Sequence, residues 1–409
     1  MKKIYWRPRA VSRPALLLIA IISIAGLLMV EKWKVNQDQP YFEEKIKAAN
    51  LAADAFEVVR AERVKLGPPI DQVNDPADTG IIGLAMSPVT SVLGHLSAKQ
   101  TSTNPNFAAV LVEMLKEAGV EQGDVVAVGV SGSFPALNIC TYAALESLGA
   151  KPLVISSASA SQWGANVPQL MWPDMEHLLL RQKRVGEDGK ELPPLFNIKS
   201  IACSIGGNDD QGEGLTEEGL KLVQASIERN GLTPLQVELP ESAKNLPPVE
   251  RAQAEMQANI ELRMDKYRDK AKGRPIAAYI NVGGGTVSVG KDVGKKMFKS
   301  GLNMRPPRDV REIDGVMARF SNDGVPVIHM IRINTLANNF GLPLEPVVAP
   351  PLGEGGVFVG IAYSKPLVIG VLAFILMCLY GFIRTDIGFR ILRTSKGASK
   401  REMHPEPMV

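Results

Sequence analysis

Two apolar runs stand at opposite ends of the chain, Pro14 to Val30 and Pro366 to Ile383, and the polar and charged chemistry lies between them. Each run is close to the roughly 20 residues that cross a bilayer core, so the pattern predicts two membrane-spanning helices. Behind the first, Phe42, Ile46, Ala49, Ala53, Phe56 and Val59 recur at helical spacings, which predicts a helix over Tyr41 to Lys65. Read as a continuation of the first span, it forms a stalk that Gly67-Pro68-Pro69 stops. After Gly80 the period changes. Short apolar runs predict strands over Ile81 to Met86, Val125 to Val130, Pro152 to Ser156, Ser200 to Ile205, Pro234 to Val237, Ile276 to Val282 and Val325 to Ile331. Helical segments fall between them, at Asn106 to Ala118, Ala136 to Leu148, Asp174 to Gln182, Thr216 to Arg229 and Val249 to Ala271. The alternation predicts an α/β fold: a mostly parallel sheet flanked by helices and bracketed by two transmembrane helices.

Charge gives this order a sidedness. The first 30 residues carry five basic side chains and no acid, and the tail from Arg384 carries six basic against three acidic; a chain of net charge +3 is therefore left with −5 in between. The positive-inside rule then assigns both ends to the cytoplasm and the middle to the outside of the membrane. The expected division is a cytoplasmic N-terminus (1–13), a first span (14–30), a helical stalk (31–70), an extracytoplasmic α/β domain (71–365), a second span (366–383) and a cytoplasmic tail (384–409). A cleaved signal peptide is the competing reading of the first run, with Ser23 and Ala25 as a small-x-small site. Such a cut would fall inside the apolar run, ahead of Leu27, Leu28, Met29 and Val30, which favours an uncleaved anchor. A net acidic outer domain in a chain with 6% aromatic residues argues against nucleic acid as a partner. Cys140 and Cys203 lie in apolar surroundings and read as two buried thiols, with a disulfide as the alternative outside the cytoplasm. With no CxxC or Cys/His cluster, neither a metal nor a cofactor is assigned.

The candidate chemistry follows the strands. Val130 leads into Ser131-Gly132-Ser133, Ile155 into the run Ser156 to Ser161, Ile205 into Gly206-Gly207-Asn208-Asp209-Asp210, and Val282 into Gly283-Gly284-Gly285-Thr286. Ligands of open α/β sheets bind beyond the carboxyl ends of the strands, so four such loops on one edge make a glycine- and serine-lined cleft. Pro135 suits a first helical turn, and the free amides there, with two hydroxyls, fit a carboxylate or phosphate. Simple capping is the plainer reading. Ser131 or Ser133 as a nucleophile is the third, and it needs a base. His95, His177 and His329 are the histidines outside the spans and tail, and a triad would join a serine to His329 and Asp209 or Asp210. Asn208, Asp209, Asp210 and Glu213 offer oxygens without the spacing of an EF-hand. Lys291, Lys295, Lys296, Lys299, Arg305, Arg308 and Arg311 face only Asp292 and Asp309, a segment suited either to a polyanion or to a solvated surface. The ligand-binding set read this way comprises Ser131, Gly132, Ser133, Gly206, Gly207, Asn208, Gly284, Gly285, Thr286, Lys295, Lys296, Lys299, Arg305 and Arg308.

Two resemblances bear on this set. Ile280 to Val289 resembles the strand-turn-strand phosphate loop of actin-like ATPases, but Asn281 stands where that loop has an acidic residue and no second phosphate loop matches, so the segment reads as a glycine hairpin. A broader likeness rests on five segments: Leu84-Ala85-Met86-Ser87-Pro88-Val89-Thr90-Ser91, Ala98 to Ala109, Ser131 to Asn138, Ser161-Gln162-Trp163-Gly164-Ala165 and Gly206-Gly207-Asn208. Together these resemble the poly-gamma-glutamate system protein family. The resemblance implies a membrane accessory of poly-gamma-glutamate synthesis or export, with the membrane subunits of the synthase and the anionic polymer as partners. It brings no catalytic residues with it. An extracytoplasmic serine-dependent hydrolase or transferase acting on the polymer and a purely structural subunit remain the alternatives.

Overall fold

The computed structural model describes residues 13–67, 69–182, 184–185 and 191–385. The basic clusters before Arg13 and beyond Thr385, on which the sidedness rests, lie outside the described residues. The chain divides into two compact units, one formed by Met1–Gln37 with Gly360–Val409 and the other by Asp38–Val359.

The first unit holds helix α1 (Arg13–Lys32) and a C-terminal helix (Lys365–Thr385), each long and apolar enough to cross a membrane. Their apolar side chains point outward: Leu17, Ile24, Leu27 and Leu28 on α1, and Ile369, Leu372, Phe374 and Met377 on its partner, are more than half exposed. The two helices touch where Gly26 has no side chain; a Cβ there would sit 2.5 Å from Val371 Cγ1. A small residue at the contact is what allows so close an approach of two helices.

The second unit is α/β. Its helices include α2 (Phe42–Leu66), α3 (Leu96–Ser102), α4 (Phe107–Glu117), α5 (Pro135–Leu148), α6 (Trp172–Arg181), α7 (Glu217–Arg229) and α8 (Pro248–Ala271). Then follow α9 (Thr286–Val289), α10 (Lys291–Met297), α11 (Val316–Asn322) and α12 (Ile333–Asn339). The main sheet has six strands: β1 (Val125–Ser131), β2 (Lys151–Ser157), β3 (Ala202–Ser204), β4 (Ile276–Val282), β5 (Gly301–Asn303) and β6 (Val327–Met330). They lie in the order β3-β2-β1-β4-β6-β5. All pairings are parallel except β5 with β6, so the sheet is mixed. Side chains alternate faces as a strand requires. Val126, Val128, Val130, Ala278, Ile280, Val282, Ile328 and Met330 enter one core with α2, α4 and α5. Ala127, Ile155, Tyr279 and Val327 enter the other with α8 and α11. Both faces are thus covered by helices, the condition under which parallel strands are found.

Several sequence expectations are corrected. The predicted stalk is part of this core: α2 buries Ala48, Ala49, Ala52, Ala55, Phe56 and Val59, and the strand Lys34–Asp38 separates it from α1. Helical periodicity reports a buried stripe but not what covers it. The decisive contact is Lys45, fully buried, which pairs with the Glu113 carboxylate on α4 and donates to the Val357 carbonyl at 2.9 Å. Ile81 to Met86 forms no strand, because the Asn166 side chain takes both the Leu84 amide (2.7 Å) and the Leu84 carbonyl (2.8 Å) that a ladder would use. Pro234 to Val237 reaches β3 through a single bridge at Pro234, in which Cys203 N–H donates to Thr233 O (2.8 Å) and Leu235 N–H to Cys203 O (2.8 Å). The glycine hairpin after Val282 is instead a turn into the short helix α9, with Gly283 at φ 96° as its hinge. Strand β5 was not foreseen. Cys140 and Cys203 are both buried free thiols.

Replacing Lys45 by alanine leaves Glu113 without its partner at the α2–α4 seam. Lost buried pairs cost about 3–5 kcal/mol, and the partly exposed Glu113 puts Lys45→Ala at the lower end, about 3 kcal/mol, by denaturant unfolding of the full chain. A change under about 1 kcal/mol would contradict the packed position of α2.

Candidate functional site

The strand order reverses direction at one place. From β1 the chain steps outward to β2 and β3, whereas β4 and β6 lie on the opposite side of β1. Such a reversal sends the loops after β1 and β4 apart and opens a crevice between them. A cleft of about 490 Å³ lies there, lined by Ser131 at the end of β1 and Ser133 just beyond it, and by Gly284 and Gly285 after β4 with Thr286 at the start of α9. Ser156, near the end of β2, and the loops after β2 and β3, with Ser159, Ser161, Gly206, Gly207 and Asn208, complete it.

Hydrogen bonds tie the four loops to one another. Ser161 N–H donates to Ser133 Oγ (3.1 Å), and Ala165 N–H to Gly132 O (2.7 Å), joining the loops after β1 and β2. Ser159 N–H donates to Ile205 O (3.0 Å), joining the second loop to the third. Asp209 N–H donates to Thr286 Oγ1 (2.9 Å), linking the third to the fourth. Close approach between the second and third loops requires glycine: Gly206 has φ 85°, and a Cβ on it would lie 2.3 Å from Ser159 Oγ. The hydroxyls of Ser156 and Ser159 are 2% and 3% exposed at the cleft wall. Ser156 meets the Cys203 thiol, whereas Ser159 Oγ has no hydrogen-bond partner, an exception to the rule that buried polar groups are satisfied.

The least expected member is Lys99 on α3. It is 3% exposed, lines the cleft, donates to the Ser133 carbonyl and to Ser161 Oγ (2.9 Å), and sets its ammonium 3.7 Å from the centre of the Phe134 ring. No carboxylate pairs with it among the described residues. Burial pulls its pKa from the ordinary 10.5 down to about 7, while the carbonyl and the ring face favour the charged form. Reading for motifs missed Lys99. The signal was in the charge pattern, for Lys99 is the only Asp, Glu, Lys or Arg between Asp78 and Glu113.

The remaining sequence candidates are dispersed. His329 is fully buried and meets Asn281 across the β4–β6 pair (Nδ1 to Nδ2, 3.0 Å); burial lowers its pKa to about 4, so it is neutral at pH 7. It does not line the cleft, whereas His95 does. The proposed serine–His329–Asp209 triad is therefore not assembled: Asp209 is held by its backbone at Thr286, and Asp210 is paired with Arg263 of α8 and accepts from Ser204 Oγ (2.7 Å). Among the described residues no group of three or more histidine, cysteine or carboxylate side chains converges as a metal site. Of the basic segment, Lys295 lines the cleft beside Gly284, whereas Lys296, Lys299, Arg305 and Arg308 are exposed and lie away from its lining. No family model, curated protein or solved structure matches the chain.

Lys99 makes stability depend on pH with a definite sign. Unfolded, it keeps its proton up to about pH 10.5; folded, it gives it up near 7. The unfolded state therefore binds more protons across that window, and stability rises with pH there, by at most about 1.4 kcal/mol per pH unit. The unfolding free energy of the wild type minus that of Lys99→Met is expected to climb between pH 7 and 9 and to be flat below 7, as read by denaturant titration. A difference independent of pH would contradict a buried, deprotonating lysine.

Proposed function

We propose that this chain is a membrane-anchored accessory of poly-gamma-glutamate synthesis or export, its α/β unit outside the cytoplasmic membrane and its cleft holding a segment of the anionic polymer. The observation that carries the reading is the unpartnered, buried hydroxyl of Ser159, beside that of Ser156, in a cleft that Lys295 also lines. A gamma-linked glutamate chain offers an amide carbonyl and a free carboxylate in every residue. Hydroxyl donors suit the first, and an ammonium at the cleft wall suits the second. The net −5 of the segment between the spans supports transient handling, since like charge over the rest of the surface opposes adsorption of a polyanion. Two outward-facing apolar helices fit anchoring beside the membrane subunits of a synthase. The resemblance of the Ser131 to Asn138 and Ser161 to Ala165 segments to the poly-gamma-glutamate system protein family points the same way.

The full chain in detergent is expected to bind gamma-linked polyglutamate with an affinity that falls as salt is raised. Because a hydrogen bond to a charged group contributes about 1.5–3 kcal/mol, Lys295→Ala should weaken binding about 10-fold, and Ser156→Ala together with Ser159→Ala by a similar factor, in fluorescence anisotropy with end-labelled polymer. Binding unaffected by salt and by all three substitutions would overturn the cleft as the polymer site.

A further inference from the structure

The residues best placed for bond-making chemistry are Ser161 and Lys99, neither of which the sequence suggested for catalysis. Ser161 is 5% exposed and lines the cleft; its hydroxyl is 2.9 Å from Lys99 Nζ. Its backbone is held on both sides. The short strand Ala160–Ser161 runs parallel to Thr90–Val92, and the Ser161 amide is bound by Ser133 Oγ. The turn that follows closes with Gly164 N–H donating to Ser161 O (3.0 Å) and puts Trp163 at φ 56°. A bulky residue in the left-handed region costs on the order of 1–3 kcal/mol and persists where the surroundings impose it, often at functional sites.

Lys99 Nζ donates to the Ser133 carbonyl and to Ser161 Oγ (2.9 Å), while the Ser161 hydroxyl donates to the Gln162 carbonyl (3.5 Å). On losing its proton the amine gains a lone pair, which the Ser161 hydroxyl can meet by turning from Gln162. The Ser133 contact holds Nζ within that reach. No carboxylate pairs with the amine among the described residues, and burial opposes its protonation more than the Ser133 carbonyl and the Phe134 ring favour it. A serine held against a desolvated amine is the arrangement of an activated nucleophile and its base.

We propose that Ser161 is the nucleophile of an acyl-transfer site and Lys99 its general base, acting on the gamma-glutamyl amide of the polymer; this substrate assignment rests on the reading of the cleft given above. In the first step Ser161 Oγ bonds to the acyl carbon and its proton passes to Lys99. The C–N bond then breaks, and the proton moves from Lys99 to the departing amine. In the second step water, or a second amine, attacks the Ser161 ester and releases the acyl group, with Lys99 taking the proton of the attacking group and returning it to Ser161 Oγ. The Ser159 hydroxyl, without a partner in the same lining, is the donor assigned to the acyl oxygen.

Alkyl fluorophosphonate tests the pair without reference to the polymer: a bond from Ser161 Oγ to phosphorus forms, fluoride leaves, and Lys99 accepts the proton. The full chain in detergent is treated across pH 5.5–9 and the modified peptide is located by mass spectrometry. The expected result is a label on Ser161 whose rate rises with a midpoint near pH 7. The label is absent in Ser161→Ala and at least about 100-fold slower in Lys99→Met, the usual contribution of a general base. Lys99→Arg does not restore it. Folding of each variant is followed by circular dichroism melting, and the wild-type pH profile stands alone if Lys99→Met is unfolded. A folded wild type that takes no label at Ser161, or a folded Lys99→Met that labels at the wild-type rate, would overturn the proposal. Binding of gamma-linked polyglutamate without labelling removes the dyad and leaves the polymer reading; labelling without polymer binding does the reverse.

Discussion

Burial of a single amine organises the functional edge of this protein. Lys99 extends from α3 to the Ser133 carbonyl after β1 and the Ser161 hydroxyl after β2, and packs on the Phe134 ring. Removing an ammonium from water without a carboxylate beside it costs several kcal/mol, and the protein meets this cost in part by lowering the proton affinity of the group. The consequence reaches beyond Lys99. The two loops it touches must hold fixed positions, and they do so through Ser161 N–H to Ser133 Oγ and Ala165 N–H to Gly132 O. Gly132 has to be glycine for the same reason, because a Cβ there would lie 2.9 Å from Ser159 O.

The cleft exists because of topology, and its chemistry exists because of what the topology leaves unpaired. Reversal of the strand order between β1 and β4 separates two loops that would otherwise pack, and the four loop connections set the width of the gap. Arg263 and Asp210 neutralise one another at its wall, so neither supplies net charge to a ligand. Lys99 and Lys295 bring amines to the lining, and the Ser159 hydroxyl stands there without a hydrogen-bond partner. The proposed serine and amine need no histidine, and His329 is locked against Asn281 inside the sheet, neutral and away from the lining.

Much of this was legible in the chain. The apolar runs over Val125 to Val130 and Ile276 to Val282 became central strands because both faces of those strands are covered, and the four glycine- and serine-rich loops do line one cleft. Other features were hidden by interactions between residues far apart in sequence. Ile81 to Met86 is apolar enough for a strand, yet Asn166 takes the hydrogen-bonding groups of Leu84 from a position 82 residues away. The regular stripe on α2 gave no sign that Lys45 would anchor it to Glu113 and Val357. Gly283 to Thr286 reads equally as a hairpin or as a turn into a helix, since glycine serves both. Ser161 and Lys99 are separated by 62 residues, and only the fold brings them within hydrogen-bonding distance.

The account stands or falls on the charge of Lys99. A titration of the ¹³Cε and ¹⁵Nζ resonances of selectively labelled lysine, with Lys99 identified by the signal that disappears in Lys99→Met, measures it directly. The predicted midpoint is near pH 7, well separated from the other lysines. A midpoint at the ordinary lysine value of 10.5 would mean that the amine is a permanently charged support for the two loops and no base for Ser161.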